Sequence, residues 1–170
     1  QPQIAVRADV VAANNGSANI SLLVNQGNMA FAAASNIGVG AGPAGLAAGF
    51  FNGDANLDLA VSLFGADSIA ILLGDGAGGF TPAGGSPIAS GAGPIDLGDA
   101  KDLNADGFID LTVANFADNN VGVFFGNGDG TFNMMATYSH PGDLGPRAIN
   151  VRDIDFDGKP EIVAVNNGAR

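Results

Sequence analysis

The chain of 170 residues contains no cysteine and no tryptophan, and it has a single tyrosine and a single histidine. The absence of cysteine excludes a disulfide scaffold, a cysteine-ligated zinc or iron–sulfur site, and a thiol nucleophile. Basic residues are also scarce, since six Lys and Arg stand against 17 Asp and Glu, for a formal net charge of −11. Nucleic acid and anionic membrane surfaces would repel such a chain, so we expect neither as a partner.

Long apolar segments are missing as well. No apolar run approaches the roughly 18 residues that a membrane-spanning helix requires. The sequence does not open with the basic segment and apolar stretch that are typical of a signal peptide. Neither a transmembrane helix nor a signal peptide is therefore predicted within this sequence, and we expect no membrane insertion.

Glutamate is nearly absent, because 16 of the 17 acidic residues are Asp and only Glu161 is Glu. The surface of a solvated helix would use many Glu and Lys, yet the chain has two Lys. Aspartate and the 27 glycines favour turns and loops instead. This composition predicts a β-rich chain.

Comparison of the sequence with itself reveals a repeat of about 50 residues. Three blocks of 23 residues align without a gap, each beginning with Asp and ending with Phe: 9–31, 58–80 and 110–132. A fourth copy begins at Glu161, and successive copies are offset by 49, 52 and 51 residues. Pro43, Pro94 and Pro146 follow the same spacing, and a glycine precedes each of them.

Each block has the pattern of a β-hairpin: two apolar, β-branched segments flank a polar Asn/Asp/Gly/Ser loop and are followed by a glycine-rich turn. Further extended segments bring the total to four short strands per repeat. Four antiparallel strands at this period are typical of a propeller blade. A β-sandwich fits less well because its strands need not repeat in sequence, and a β-helix has a much shorter period. We therefore predict an all-β fold of β-propeller blades.

An acidic loop of nine residues precedes the second, third and fourth copies, at residues 50–58, 102–110 and 153–161. These loops hold nine of the 17 acidic residues. Calcium takes about six to eight oxygen ligands from a flexible cage. Side chains at loop positions 1, 3, 5 and 9, with the carbonyl at position 7, could converge on such an ion if glycine at position 6 permits a sharp turn. The predicted ligands are Asp102, Asn104, Asp106, the Phe108 carbonyl and Asp110 in one loop, and Asp153, Asp155, Asp157, the Lys159 carbonyl and Glu161 in the other.

The loop 50–58 is degenerate, since Phe50 replaces Asp at position 1 and Ala55 replaces Gly at position 6. We expect it to hold an ion weakly or not at all, and the oxygen ligands that it could still offer are Asn52, Asp54, Asn56 and Asp58. An EF-hand is excluded, because position 12 is Val113 or Ala164 instead of a carboxylate and the following residues are strand-like. The alternative for the two complete loops is an acidic turn that binds no ion.

Three motifs at one period, namely GAGP, the loop D-x-[DN]-x-D-G-x-x-[DE] and a GDGTF-like turn, resemble FG-GAP/VCBS repeats, the blades of integrin-α-type β-propellers. The resemblance extends over nearly the whole chain. It implies that the calcium loop joins the first and second strands of a blade, and it implies the same two complete calcium sites. No acidic loop precedes Asp9, so no site is implied at residues 1–9.

The repeat predicts four segments. These are a partial blade without a calcium loop (1–42), a blade with the degenerate loop (43–91), a blade with a complete loop (92–143) and a half blade with a complete loop (144–170). Propellers usually close with about four to eight blades. We therefore expect an incomplete propeller, or one completed by oligomerisation through open blade edges.

An enzyme is disfavoured, and we predict no catalytic residue and no organic cofactor. Serine hydrolase chemistry would have to use the single His140, and the sequence has no G-x-S-x-G motif. Asp96 and Asp99 could in principle form a glycosidase pair, but they flank a calcium loop.

The expected function is a calcium-stabilised module for extracellular adhesion or ligand binding, with a protein or glycan as its partner. Extracellular modules bind calcium at about 10⁻⁴–10⁻³ M, which favours a secreted, periplasmic or cell-surface protein. Two alternatives are a carbohydrate-binding lectin and a purely structural segment of a longer repeat protein. The lectin is the weaker of these, because the chain has no Trp and one Tyr to stack on a sugar.

Overall fold

The computed structural model describes residues 8–28, 30–139 and 144–168. These residues form 16 β-strands and no helix. Consequently no helix in this part of the chain is long and apolar enough to cross a membrane. The strands belong to antiparallel sheets that follow one another along the sequence.

The first group of strands comprises β1 (Val10–Asn14), β2 (Asn19–Leu23), β3 (Asn25–Gly27), β4 (Ala30–Phe31) and β5 (Ser35–Gly38). The first sheet has the order β1-β2-β5, and β3 and β4 form a separate short ladder. β1 and β2 are the two strands that the sequence predicted on either side of the polar loop, and they pair from Val10–Leu23 to Asn14–Asn19.

The second sheet comprises β6 (Pro43–Gly49), β7 (Asp58–Leu63), β8 (Ser68–Gly74), β9 (Phe80–Pro82) and β10 (Ile88–Ala89). Its order is β10-β8-β7-β6, with β9 also paired to β8. Two short strands, β9 and β10, thus share the position of the outer strand, because the chain leaves the edge of β8 between them.

The third sheet comprises β11 (Pro94–Leu97), β12 (Leu111–Asn115), β13 (Asn120–Gly126) and β14 (Phe132–Tyr138), in that order. It has four consecutive antiparallel strands, as predicted for one repeat. The fourth sheet contains β15 (Pro146–Arg152) and β16 (Glu161–Asn166).

Hydrophobic clusters lie between consecutive sheets. Ile20 of β2 packs with Leu59 and Val61 of β7, between the first and second sheets. Ala60, which alternates with them on β7, belongs to a cluster shared with β12 of the third sheet. A small cluster of Ala114, Val121 and Ile149 joins the third and fourth sheets. Because side chains alternate along a strand, β7 supplies side chains to the cluster shared with the first sheet and to the cluster shared with the third sheet.

The prediction of an all-β fold built from antiparallel sheets is confirmed. Closure into a ring is not seen among the described residues. The division of the chain at residues 42/43, 91/92 and 143/144 stays a prediction.

Candidate metal centre

Each of the three acidic loops joins the first two strands of a sheet. The loop 50–58 leads from β6 into β7, the loop 102–110 from β11 into β12, and the loop 153–161 from β15 into β16. This is the position that the resemblance to FG-GAP/VCBS repeats implied. Loop positions below are counted from residue 50, 102 or 153.

The loop 102–110 is folded around the carboxylate at position 1. Ala105 at position 4 has a φ of 62° and Gly107 at position 6 has a φ of 90°, so the backbone turns sharply at both. The side chains at positions 1, 3 and 5 accept hydrogen bonds from backbone N–H groups of the loop. These bonds are Gly107 to Asp102 (2.9 Å), Asp106 to Asn104 (2.9 Å) and Phe108 to Asp106 (2.8 Å).

The loop 153–161 has the same backbone, with φ values of 63° at Phe156 and 88° at Gly158. The Gly158 N–H again donates to the carboxylate at position 1, Asp153, at 2.9 Å. Two loops of different sequence thus adopt one conformation. Both have Asp at position 1 and Gly at position 6, the two shared residues that loop 50–58 lacks.

Three carboxylates meet in the loop 153–161. One oxygen from each of Asp153, Asp155 and Glu161 lies within 4.8 Å of the others. The Asp153 Oδ1 atom is buried and has no hydrogen-bond partner. Like charges at this separation repel, and an unpaired buried carboxylate oxygen is costly. These residues therefore fit a hard divalent cation, whose ligands are oxygens.

Asp157, at position 5, lies outside this group of three. Its Oδ1 accepts a hydrogen bond from the Lys159 N–H at 2.8 Å, and its Oδ2 lies 3.5 Å from the Lys159 ammonium. The structure thus brings together the residues at positions 1, 3 and 9. No other such group of three carboxylate, imidazole or thiol side chains occurs in the described part of the chain.

The carboxylate at position 9 was predicted as an ion ligand, and in the structure it also accepts hydrogen bonds from the backbone. Asp110 is 1% exposed, and its two oxygens accept hydrogen bonds from the Leu103 N–H (2.8 Å) and the Gly126 N–H (3.0 Å). Burial raises the pKa of the Asp110 carboxyl above its usual value; the charges of Asp106 and Asp102 add to this, and the two hydrogen bonds oppose it. Lone pairs remain on both oxygens, so this contact is compatible with binding an ion as well.

The loop 50–58 differs in shape. Neither Gly53 nor Ala55 has a positive φ, so this loop does not make the two sharp turns of the complete loops. Asp58 is 0% exposed and bonds to the backbone in the manner of Asp110, through the Phe51 N–H (2.8 Å) and the Gly74 N–H (2.9 Å). Asn52, Asp54 and Asn56 remain in the loop, and their binding of an ion stays a prediction.

Sequence reasoning missed the partners of the position-9 carboxylates. Gly74 and Gly126 lie 16 residues after Asp58 and Asp110, at the ends of β8 and β13. The sequence does contain a signal for these two residues, because both glycines occupy the same position of the aligned blocks. Their role depends on a backbone N–H, however, and the sequence alone does not show which acceptor that N–H reaches.

The two acidic residues that were weighed as a glycosidase pair both make contacts between sheets. Asp96 accepts a hydrogen bond from the Ile149 N–H at 3.0 Å, and Asp99 forms an ion pair with Arg152 at 2.6 Å. Both contacts join the third sheet to the fourth. His140 lies outside the described residues.

Residues 102–164 match the family model described as an FG-GAP-like repeat. The match begins at Asp102, the first residue of one complete loop, and extends past Glu161, the last residue of the other. No curated protein matches the chain.

Proposed function

We propose that this chain, an FG-GAP repeat protein by its match over residues 102–164, is a non-enzymatic, calcium-stabilised β-propeller module for adhesion or ligand binding. The observation that carries the proposal is the group formed by Asp153, Asp155 and Glu161, in which a buried carboxylate oxygen lacks a partner. The loop 102–110 supports a second site, because it has the same backbone and offers Asp102, Asn104 and Asp106.

Calcium supplies positive charge and oxygen coordination, and the chain supplies a prefolded loop. The left-handed residue at position 4 and the glycine at position 6 hold the side chains in place before an ion arrives. At calcium near 1 mM, with affinities of about 10⁻⁴–10⁻³ M, mass action stabilises the folded chain by about 0.4–1.4 kcal/mol per site. Two bound ions would also change the net charge from −11 to −7.

A requirement for millimolar calcium favours a secreted, periplasmic or cell-surface location. The acidic balance disfavours nucleic acid and anionic membranes as partners. The proposed partner is an extracellular protein or a glycan.

Carbohydrate binding is the second candidate, and one cavity supports it. The cavity has a volume of about 260 Å³, lies between the third and fourth sheets, and combines a mostly apolar lining with several polar side chains. Amides of Asn119, Asn120 and Asn166 and the hydroxyl of Ser139 could bond to sugar hydroxyls, while the exposed Tyr138 offers an aromatic face.

The primary test is a calorimetric calcium titration of chelator-stripped protein, with the thermal midpoint recorded before and after. We expect two sites and a higher midpoint. Asp153→Asn should remove one site, whereas Asp54→Asn, in the degenerate loop, should leave both. If the unmodified chain gives neither heat nor a midpoint shift, the loops are acidic turns that bind no ion, and the extracellular assignment is lost with them.

The partner is tested separately on the calcium-loaded chain with a glycan array. Binding that Asn166→Ala abolishes would favour the lectin over the adhesion module. A chain that binds calcium but no glycan would leave protein adhesion, or a structural segment of a longer protein, as the function.

A further inference from the structure

One hydrogen bond recurs in all three aligned blocks. An Asp carboxylate accepts from the backbone N–H sixteen residues later in Asp58–Gly74 (2.9 Å) and Asp110–Gly126 (3.0 Å), and Asp9 accepts from the Asn25 N–H at the same spacing (2.8 Å). Asp9 has no acidic loop before it. The bond is therefore a property of the repeat, and it forms where no ion is predicted.

The second oxygen of the same carboxylate holds the start of the acidic loop. It accepts from the N–H at loop position 2, at 2.8 Å for Phe51 and at 2.8 Å for Leu103. Glu161 makes the equivalent bond to the Ile154 N–H at 2.8 Å. Asp58 and Asp110 thus each tie the loop between the first two strands of their sheet to the end of the third strand. They do so away from water, where charge-assisted bonds are strong.

In the second and third sheets the residue that donates this bond is glycine, and the backbone there leaves no room for a side chain. A Cβ atom on Gly74 would collide with the Leu57 carbonyl oxygen, and one on Gly126 would collide with the Ile109 carbonyl oxygen. Both carbonyls precede the Asp of the pair directly. Glycine at this place therefore allows the backbone of the third strand to approach the carboxylate.

The turn that follows Gly126 contacts the degenerate loop 50–58, which joins the first two strands of the second sheet. The Gly130 N–H donates to the Phe51 carbonyl oxygen at 2.8 Å. The ring of Phe132, at the start of β14, packs edge-on against the ring of Phe51, with centroids 5.3 Å apart and an interplanar angle of 79°. The loop 102–110, Asp110, the turn and the second sheet therefore form one continuous set of contacts.

We propose that Asp110 is a positioning residue that couples the calcium loop to the contact between neighbouring sheets. It fixes the start of the loop through Leu103 and the turn through Gly126, so the packing of Phe51 on Phe132 and the shape of the ion site depend on each other. The ion half of this coupling rests on the proposed calcium function, whereas the half that joins Asp110 to the turn does not. Because coupling is reciprocal, calcium in the loop should tighten the sheet contact, and disturbing the turn should weaken calcium binding.

The ion-independent half is tested in chelator by hydrogen exchange of single amides in the full chain. Asp110→Asn should reduce protection of the Gly126 and Gly130 amides, because an amide offers one accepting oxygen where the carboxylate offers two. Asp102→Asn, a change in the same loop but outside the pair, should leave the Gly130 amide as it was. Unchanged Gly130 protection in Asp110→Asn would overturn the proposal, whatever the chain does with calcium.

The ion-dependent half is tested by calcium titration of Gly126→Ala, a change at a residue that is not a predicted ligand. We expect one site to weaken by about 10–100-fold, as for other residues that orient a metal ligand. The matched control is Gly122→Ala on the same strand, where the new Cβ would lie 2.9 Å from Val113 Cγ1 but away from the pair.

The outcomes of these experiments are distinct. Equal calcium affinities in Gly126→Ala and Gly122→Ala would refute the coupling while leaving the proposed function intact. If Gly126→Ala does not fold, hydrogen exchange of the unmodified chain with and without calcium is the test. Calcium should raise the protection of the Gly130 amide. It should not raise that of the Gly79 amide, which lies in the corresponding turn of the sheet with the degenerate loop. An equal response of the two amides would also refute the coupling. No calcium heat in the unmodified chain would refute the proposed function and the ion-dependent half together, with the chelator experiment still deciding the other half.

Discussion

The Asp67 carboxylate accepts a hydrogen bond from the Gly93 N–H at 2.8 Å and so joins the hairpin loop of the second sheet to the start of the third. Asn119 accepts the equivalent bond from the Gly145 N–H at 2.7 Å, between the third and fourth sheets. Both acceptors lie in the left-handed region, with φ of 47° and 54°. Asp and Asn tolerate this conformation better than other non-glycine residues. The residue at this position therefore both allows the turn of the hairpin and accepts a hydrogen bond from the next sheet.

We expect Asp67→Ala to destabilise the chain. The substitution leaves the part-buried Gly93 N–H without an acceptor, at a cost of about 1–3 kcal/mol. Asp67→Asn is the matched control, because it keeps an accepting oxygen and should cost much less. Urea unfolding of the two variants measures the difference, and equal losses would contradict this explanation.

Ala18 occupies the aligned position in the first sheet with a φ of 51°. Alanine has no side-chain acceptor and is strained in this region, so Ala18→Asn should stabilise the chain by up to about 1 kcal/mol. Ala12→Asn, on the adjacent strand β1, is the control and should give no gain. A thermal midpoint that does not rise in Ala18→Asn would show that the backbone there is relaxed.

The sign of the Asp153→Asn effect should depend on calcium. In chelator the variant should be more stable than the unmodified chain, because it removes one of three crowded charges and can place an NH2 donor beside the two remaining carboxylates, where the unpartnered oxygen lies. Millimolar calcium should add about 0.4–1.4 kcal/mol to the unmodified chain that the variant does not gain, which is the linkage contribution of one lost site, and we expect this to exceed the variant's advantage in chelator. Thermal midpoints in the two buffers measure both signs. The control is Asp157→Asn. Because Asp157 faces Lys159 and lies outside the group of three carboxylates, this variant should change the calcium-dependent stability less than Asp153→Asn does.

Asp75 gives a prediction about pH. Hydrogen bonds from the Ala77 and Gly79 N–H groups lower the pKa of Asp75 below its usual value of 3.8. A carboxylate whose pKa is lower in the folded state adds stability above its unfolded pKa, and that contribution is lost as the pH falls through the folded value. The stability advantage of the unmodified chain over Asp75→Asn should therefore be constant near neutral pH and shrink below pH 3.8. Thermal midpoints from pH 2 to 7 test this, and an advantage independent of pH would contradict it.

Association through the fourth sheet is the remaining prediction. Among the described residues, β16 pairs only with β15, and Val163 and Val165 on it are 40% and 61% exposed. An unpaired apolar edge is a template for strand pairing, so we expect concentrated protein to oligomerise and Val165→Lys to reduce this. Ile154→Lys, an exposed residue of the nearby loop, is the control. Light scattering at increasing concentration gives the mass, and a monomer throughout would contradict the prediction.

The sequence predicted the hairpins well because turn chemistry and strand alternation are local. β7 with β8, and β12 with β13, lie where the aligned blocks placed them. The split of the outer strand into β9 and β10 was not predictable, because it depends on how residues 83–87 leave the edge of β8. The candidate ligands were predictable from residue type and spacing. The contacts of Asp58 and Asp110 were not, because they depend on backbone donors brought close by the fold.

The alternation of β7 between two hydrophobic clusters has a consequence for how such a chain can change in length. Leu59 and Val61 complete the core of the sheet before, while Ala60 contributes to the core of the sheet after. Each repeat thus carries half of the surface needed by the next copy of itself. Duplication of one unit of about 50 residues inserts a matching pair of faces, so the array can grow or shrink by whole units without redesign of any existing interface.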